Sequence, residues 1–292
     1  MCERFLQRSR HGTRSLQETL TGAAGGAGRG PPAGAPRGPR GPGRGGARAV
    51  RRAHSIAAVR LLVLGDSTAF HGPSQAELLT HPGLFPNVLA RLLGAHVDVQ
   101  ARLGWTAQDA WWAITRDPYV YSVLLPNADV VVLALGGMDH LPASLPRYLR
   151  TGLDYIRPGP VRRTAKQAFH RANPYVVRAT RGRMRTLPQH VTLHNLDRIV
   201  DAIRATHPGT QVVGIVPPPF DAEYYGHVTR THAPAVEAHR AWGERKGVPL
   251  ADLHEVVQPH LDSGDMNPDG MHWSWAAHED VAKAIAALIV TE

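Results

Sequence analysis

The chain holds one cysteine in 292 residues, Cys2, so no disulfide can form within it. Cysteine catalysis is not expected either, because Cys2 lies in the N-terminal tail, and the scarcity points to a reducing, cytoplasmic setting. Long apolar runs are also missing. Nothing approaches the roughly 20 residues of a membrane span, and no apolar run predicts a secretory signal. Histidines number 17, yet no pair shows the HExxH spacing of a helical zinc site, so no metal is expected. No GxGxxG opens a helix after a strand, which argues against a dinucleotide, and no cofactor is expected.

What is present is unevenly distributed. Residues 1–57 are dominated by Gly, Ala, Pro and Arg, with almost no large apolar residue after Leu20. Such a segment cannot bury enough surface to offset its ordering entropy, which predicts a disordered tail. It carries 11 Arg against Glu3 and Glu18, a net of +9 that equals the net charge of the whole chain. The remaining residues, 58–292, therefore balance, and the basic character belongs to the tail. An Arg-rich anionic-surface binder and an organelle transit segment are the other readings of that tail. It lacks the aromatic interleaving of a nucleic-acid binder, so nucleic acid is not the expected partner.

From residue 58 onward, apolar runs alternate with helical patterns. Strands are predicted at 59–64, 96–101, 130–135, 211–216 and 249–253. Helices are predicted at 84–93, 107–115, 191–206, 234–246 and 276–289. Several strands are apolar throughout, as expected when both faces of a parallel sheet are covered. The alternation predicts a doubly wound α/β sandwich, in which ligands sit beyond the carboxyl ends of the strands. Ser67, Gly104 and Gly136 each follow a predicted strand and should share that edge.

Residues 147–185 break the pattern, with 11 basic groups and one acid, Asp154. Pro158, Pro160 and Pro174 punctuate them, and 167–172 is the one short helix expected. A short loop would suffice here, so a basic inserted cap at about 147–190 is predicted near the active edge. Its one-sided charge suits an anionic ligand, and a solvated surface excursion is the alternative.

The chemistry lies at two distant points. Leu61-Leu62-Val63-Leu64 ends abruptly in Gly65-Asp66-Ser67, and Asp269-Gly270-Met271-His272 lies near the other end. A serine hydroxyl needs a base within hydrogen-bond reach and an acid behind that base. Ser67 can present its Oγ, while its own N–H stabilises an oxyanion. Asp269 is close enough to His272 to set the imidazole tautomer.

Gly65-Asp66-Ser67, Gly104, Gly136-Gly137-Met138-Asp139 and Asp269-x-x-His272 resemble, in order, the four sequence blocks of the SGNH (GDSL) hydrolases. The resemblance implies a flavodoxin-like three-layer α/β/α fold and serine acyl chemistry. It makes Ser67 the nucleophile, His272 the base and Asp269 its orienter, with the N–H groups of Ser67 and Gly104 in the oxyanion hole. The third block departs from the family's Gly-x-Asn-Asp, because Met138 stands where Asn donates and a thioether cannot. His140 is the substitute donor considered.

Residues 65–73, the Gly-Gly-Met-Asp-His-Leu-Pro turn and Asp269-Gly270-Met271-His272-Trp273 further resemble a group of actinobacterial acyltransferases. That resemblance implies transfer of octanoyl from its coenzyme A thioester to a glucose hydroxyl of diglucosylglycerate, feeding methylglucose lipopolysaccharide synthesis. The implied partners are an acyl-CoA co-substrate and an anionic glycoside acceptor. Asp139, His140, Trp105 and Trp273 are candidate substrate contacts, with core packing the alternative for each Trp. A carbohydrate or lipid esterase with the same triad is the competing enzyme reading. A nucleic-acid or anionic-surface binder that uses the basic tail and insert on a vestigial fold is the non-enzymatic one.

Overall fold

The computed structural model describes residues 59–290, so the expected tail at 1–57 lies outside the described residues. Five strands form one parallel sheet: β1 (Arg60–Gly65), β2 (His96–Ala101), β3 (Val130–Ala134), β4 (Gln211–Val216) and β5 (Leu250–Asp252). Their spatial order is β2-β1-β3-β4-β5, the flavodoxin-like arrangement with its switch point beside β1. In register, Gly65 pairs with Ala101 on one side and Ala134 on the other. The loops after β1, β2 and β3 therefore leave the sheet at one edge, as the sequence predicts.

The unbroken apolar runs are explained by helices on both faces. Leu61 and Val63 face a core built with α1 (Phe85–Leu93), α7 (Leu253–Ser263) and α8 (Trp275–Ala286). Leu62 and Leu64 face a second core built with α2 (Ala107–Arg116), α5 (Gln189–Thr206) and α6 (His232–Lys246). All four β1 side chains are at most 1% exposed, each burial contributing about 1.5–3 kcal/mol. Strands 96–101 and 211–216 fall where the sequence predicts them, and the five expected helices agree to within a few residues.

Three helices depart from expectation. Helix α7 has no predicted counterpart, although Asp252 caps it by accepting from Glu255 N, an Asp-x-x-Glu start signal present in the sequence. In the insert, α3 (Arg147–Gly152) precedes α4 (Gly159–Ala179), a 21-residue helix where only a short one was expected at 167–172. The prolines read as breakers do not break it. Pro160 lies in the first turn, where an N–H has no intrahelical acceptor to lose. Pro174 lies in the interior, beside Asn173, whose Nδ2 donates to Tyr224 O at 2.7 Å. No helix among the described residues is long and apolar enough to cross a membrane.

Candidate active site

Ser67 sits just beyond the carboxyl end of β1, 4% exposed. The preceding turn is tight: a Cβ on Gly65 would lie 3.3 Å from the Ala69 Cβ. Asp66 caps the single 3-10 turn Ser67–Ala69, accepting from Thr68 N at 2.9 Å and Thr68 Oγ1 at 2.8 Å. Burial raises the Asp66 carboxyl above its ordinary range, and the Thr68 N–H and hydroxyl oppose that rise.

The imidazole beside it arrives from 205 residues away. His272 Nε2 lies 2.9 Å from Ser67 Oγ, and His272 Nδ1 lies 2.6 Å from Asp269 Oδ2. A carboxylate only accepts, so Nδ1–H donates to Asp269 and Nε2 is left to accept the serine proton. Asp269 Oδ1 also accepts from Met271 N at 2.9 Å and His272 N at 3.0 Å, closing the loop into one turn. Burial alone would raise the Asp269 carboxyl. The His272 hydrogen bond and charge, with the two N–H groups, outweigh it and hold the carboxyl below its ordinary value.

Gly270 lets this loop dock. Its φ is +71°, and a Cβ there would fall 1.8 Å from Asp221 O. Asp221 N donates to Gly270 O at 2.9 Å, joining the catalytic loop to the segment after β4. That segment supplies Pro218 and Phe220 to a small pocket at Ser67, with Met138, Leu141 and Met271 completing an apolar wall. The sequence reading missed these residues, although Val216-Pro217-Pro218-Pro219 marks a strand's carboxyl end, where such folds bind ligands.

Among the described residues, no hydrogen bond takes up the N–H of Ser67 or Gly104. Gly104, at φ +73°, faces Met138, whose Cε would lie 3.9 Å from a Cβ there. The Met138 backbone N–H is engaged by Asp66. His140 does not replace the missing donor. Its Nδ1 lies 3.0 Å from Gly136 O, so that nitrogen carries the proton. Burial lowers its pKa to about 3, leaving a neutral ring with a bare, buried Nε2 that can only accept.

The other candidate contacts fall differently. Asp139 is 1% exposed and accepts from Ala107 N at 3.1 and 3.2 Å, capping α2 from beneath. Burial, only partly opposed by Ala107 N–H and Thr192, raises it to about 7. Trp273 is 1% exposed and packs on Phe85 at 5.8 Å, so its ring belongs to the core and offers no face to a sugar. Trp105 is likewise in the second core, with Arg102 over its ring at 5.4 Å.

The insert borders the site. Arg147 pairs with Asp109 and donates to Thr106 and Gln108 at the start of α2. Asn173 and Arg178 bind the carbonyls of Tyr224 and Gly226, on the segment that also carries Phe220. Arg150, Arg157, Arg163, Arg171 and Arg183 form no ion pair among the described residues.

A parallel sheet in this order, with a serine, a histidine and an aspartate at its carboxyl edge, defines a serine acyl-transfer enzyme of the SGNH type. The chain belongs to the GDSL-like lipase/acylhydrolase family, whose model matches residues 63–279. It is 36% identical over 223 residues to the diglucosylglycerate octanoyltransferase of Mycobacterium tuberculosis, covering 76% of this chain and 89% of that protein. The enzyme of the same name from Mycolicibacterium hassiacum matches equally, at 36% over 76% of this chain and 91% of its own. The lipase/acylhydrolase of Enterococcus faecalis shares the fold, with a TM-score of 0.53 at 16% identity, covering 79% of this chain and 94% of that one.

Proposed function

We propose that this protein transfers a medium-chain acyl group, octanoyl, from acyl-CoA to a glucose hydroxyl of diglucosylglycerate, a step in methylglucose lipopolysaccharide synthesis. The observation that carries the chemistry is the relay from Ser67 through His272 to Asp269, at 2.9 and 2.6 Å. The 36% identity to two octanoyltransferases supports the substrate pair.

In the first half-reaction Ser67 Oγ attacks the thioester carbonyl and its proton passes to His272 Nε2. The new C–O bond forms, the oxyanion sits on the N–H groups of Ser67 and Gly104, and the C–S bond breaks. His272 gives that proton to the departing thiolate, which leaves as the coenzyme A thiol, and the imidazole is neutral again. In the second half, His272 takes the proton of the acceptor hydroxyl as that oxygen bonds to the acyl carbon, then gives it to Ser67 Oγ as the acyl–Oγ bond breaks. Asp269 keeps the imidazole in the tautomer both halves need. With Met138 in place of a donor, two backbone N–H groups carry the oxyanion.

Transfer requires the acceptor hydroxyl to outcompete water, which the apolar wall of Met138, Leu141, Pro218, Phe220 and Met271 favours. The arginines of α3 and α4 suit the carboxylate of the acceptor and the phosphates of the donor. Coenzyme A thioesters are intracellular, so the reaction belongs in the cytoplasm. The test is incubation with octanoyl-CoA, with and without diglucosylglycerate, followed by mass analysis. Acceptor-dependent octanoyl ester supports the reading. Free octanoate at the same rate in both arms identifies an esterase instead.

A further inference from the structure

A second imidazole lies against the base. The His71 ring stacks on His272 with centroids 3.8 Å apart and planes 15° from parallel. Its placement is enforced from several directions. His71 N donates to Ser67 O at 2.8 Å, continuing the turn that presents the nucleophile. His71 O accepts from His278 Nε2 at 3.1 Å, while His278 Nδ1 accepts from Phe85 N at 3.2 Å, so the tautomer of that buried ring is set. Asn267 joins the two halves of the site: its Nδ2 donates to Gly72 O at 3.1 Å and its Oδ1 accepts from Asp269 N at 3.0 Å. Gly72 is pressed onto α8, where a Cβ would fall 2.7 Å from the Trp275 ring.

His71, Asp269 and His272 also have donor atoms within 4.8 Å of one another, a set that invites a metal. The geometry does not chelate. Imidazole lone pairs lie in the ring plane, and two nearly parallel planes send them along lines that do not meet. Both His272 nitrogens are already engaged by Ser67 and Asp269. His71 Nδ1 donates to Gly72 O at 2.9 Å. The arrangement is a stack.

We propose that His71 is a positioning residue of the triad, a neutral ring laid flat on His272 that fixes the plane of the base. The stack blocks rotation of His272 about its side chain, which would break both the Ser67 and Asp269 hydrogen bonds at once. It also presents a π face to the imidazolium formed when His272 takes the serine proton, an attractive arrangement for a cation. The groups facing His71 are His272, Asp269, Glu77 and His278. Burial, followed by the His272 charge, holds the His71 pKa below its ordinary value, consistent with a neutral partner. The inference rests on the assignment of His272 as base.

The test compares His71→Ala, His71→Phe and His71→Lys in the full chain, measuring kcat and KM for octanoyl-CoA turnover between pH 5 and 9. Ser67 labelling by a fluorophosphonate and thermal melting are read on each variant. Loss of the stack in His71→Ala is expected to lower kcat and the labelling rate by roughly 10- to 100-fold, with KM within about twofold. His71→Phe restores a flat ring and is expected to recover to within about threefold of wild type. A fixed cation in His71→Lys opposes protonation of the base, so the acid limb of the rate profile moves to lower pH. Wild-type kcat and profile in His71→Ala overturn the proposal. So does His71→Phe no better than His71→Ala at equal melting temperature, which would assign the role to a ring nitrogen. If His71→Ala fails to fold, the Phe and Lys variants decide between these outcomes. Failure of wild type to label at Ser67 strikes the triad instead, and is thereby distinguished.

Discussion

The triad and the basic insert stand side by side and are built on opposite principles. Ser67 and His272 are 4% and 5% exposed, and each is held by short hydrogen bonds from chain segments some 200 residues apart. The insert has a net of +10 over residues 147–185, and much of it lies open, with Tyr148, Tyr155 and Tyr175 each at least 70% exposed. Buried, directional bonds define positions to fractions of an ångström. Exposed charges define a field that acts over about a Debye length and weakens with salt. In the proposed function, reaction geometry belongs to the first region and attraction of anionic substrates to the second.

The comparison can be broken most sharply at the triad. Ser67→Ala is expected to abolish acyl-enzyme formation and lower kcat by about 10⁶-fold, measured with octanoyl-CoA. Asp269→Asn, which leaves the shape but removes the tautomer's anchor, should cost about 10⁴-fold. Gly270→Ala forces a Cβ into Asp221 O and strains a positive φ. It is expected to lower kcat by roughly 100-fold through displacement of Asp269 and His272, with a lower melting temperature. Retained activity in that variant would show that the loop tolerates movement, and the precision assigned to this region would be lost.

A smaller effect concerns stability. Asp139 has its carboxyl raised from 3.8 to about 7 in the fold. Between those values the unfolded chain releases its proton while the folded one keeps it, so the stability from this group is present below pH 4 and lost as pH rises to about 7. The range amounts to about 4 kcal/mol. Buried neutral His140, His239 and His278, lowered to about 3, 4 and 4, act in the opposite sense as pH falls below 6.5. The difference between wild type and Asp139→Asn in urea unfolding isolates the carboxyl: the variant should lack its decline from pH 4 to 7. A constant difference across that range would refute the assignment.

The smallest effects are expected in the insert. Replacing Arg163 and Arg171 together by Gln should raise KM for the anionic substrates severalfold, about 1 kcal/mol, leave kcat unchanged and reduce the salt dependence of kcat/KM. A fall in kcat would move these arginines from the field into the reacting geometry.

Much of this was legible in the chain. Val130-Val131-Val132-Leu133 reads as a strand covered on both faces, and Gly65-Asp66-Ser67 at the end of such a run predicts a tight turn at a strand's carboxyl end. The distant Asp269-x-x-His272 was recognisable because a triad needs those residue types at that spacing. Helix α4 was not, because Pro158, Pro160 and Pro174 read as breaks, whereas Pro158 stands just before the helix, Pro160 falls in its first turn and Pro174 is held in its interior. Trp273 was misplaced for a related reason: adjacency to His272 says nothing about which way an indole points. His71 left no signal beyond its proximity to Ser67, since stacking is a relation between two segments.

The sequence by itself determined the layer architecture, the order of the motifs and the choice of Ser67, Asp269 and His272 as the candidate triad, because hydrophobic period and residue chemistry are local properties. Only the tertiary structure decided that Nε2 of His140 is an acceptor and that Asp139 serves a helix. It alone laid His71 on the base and seated the insert beside the segment carrying Phe220. Those outcomes depend on distances between groups far apart in the chain, which packing sets and composition does not contain.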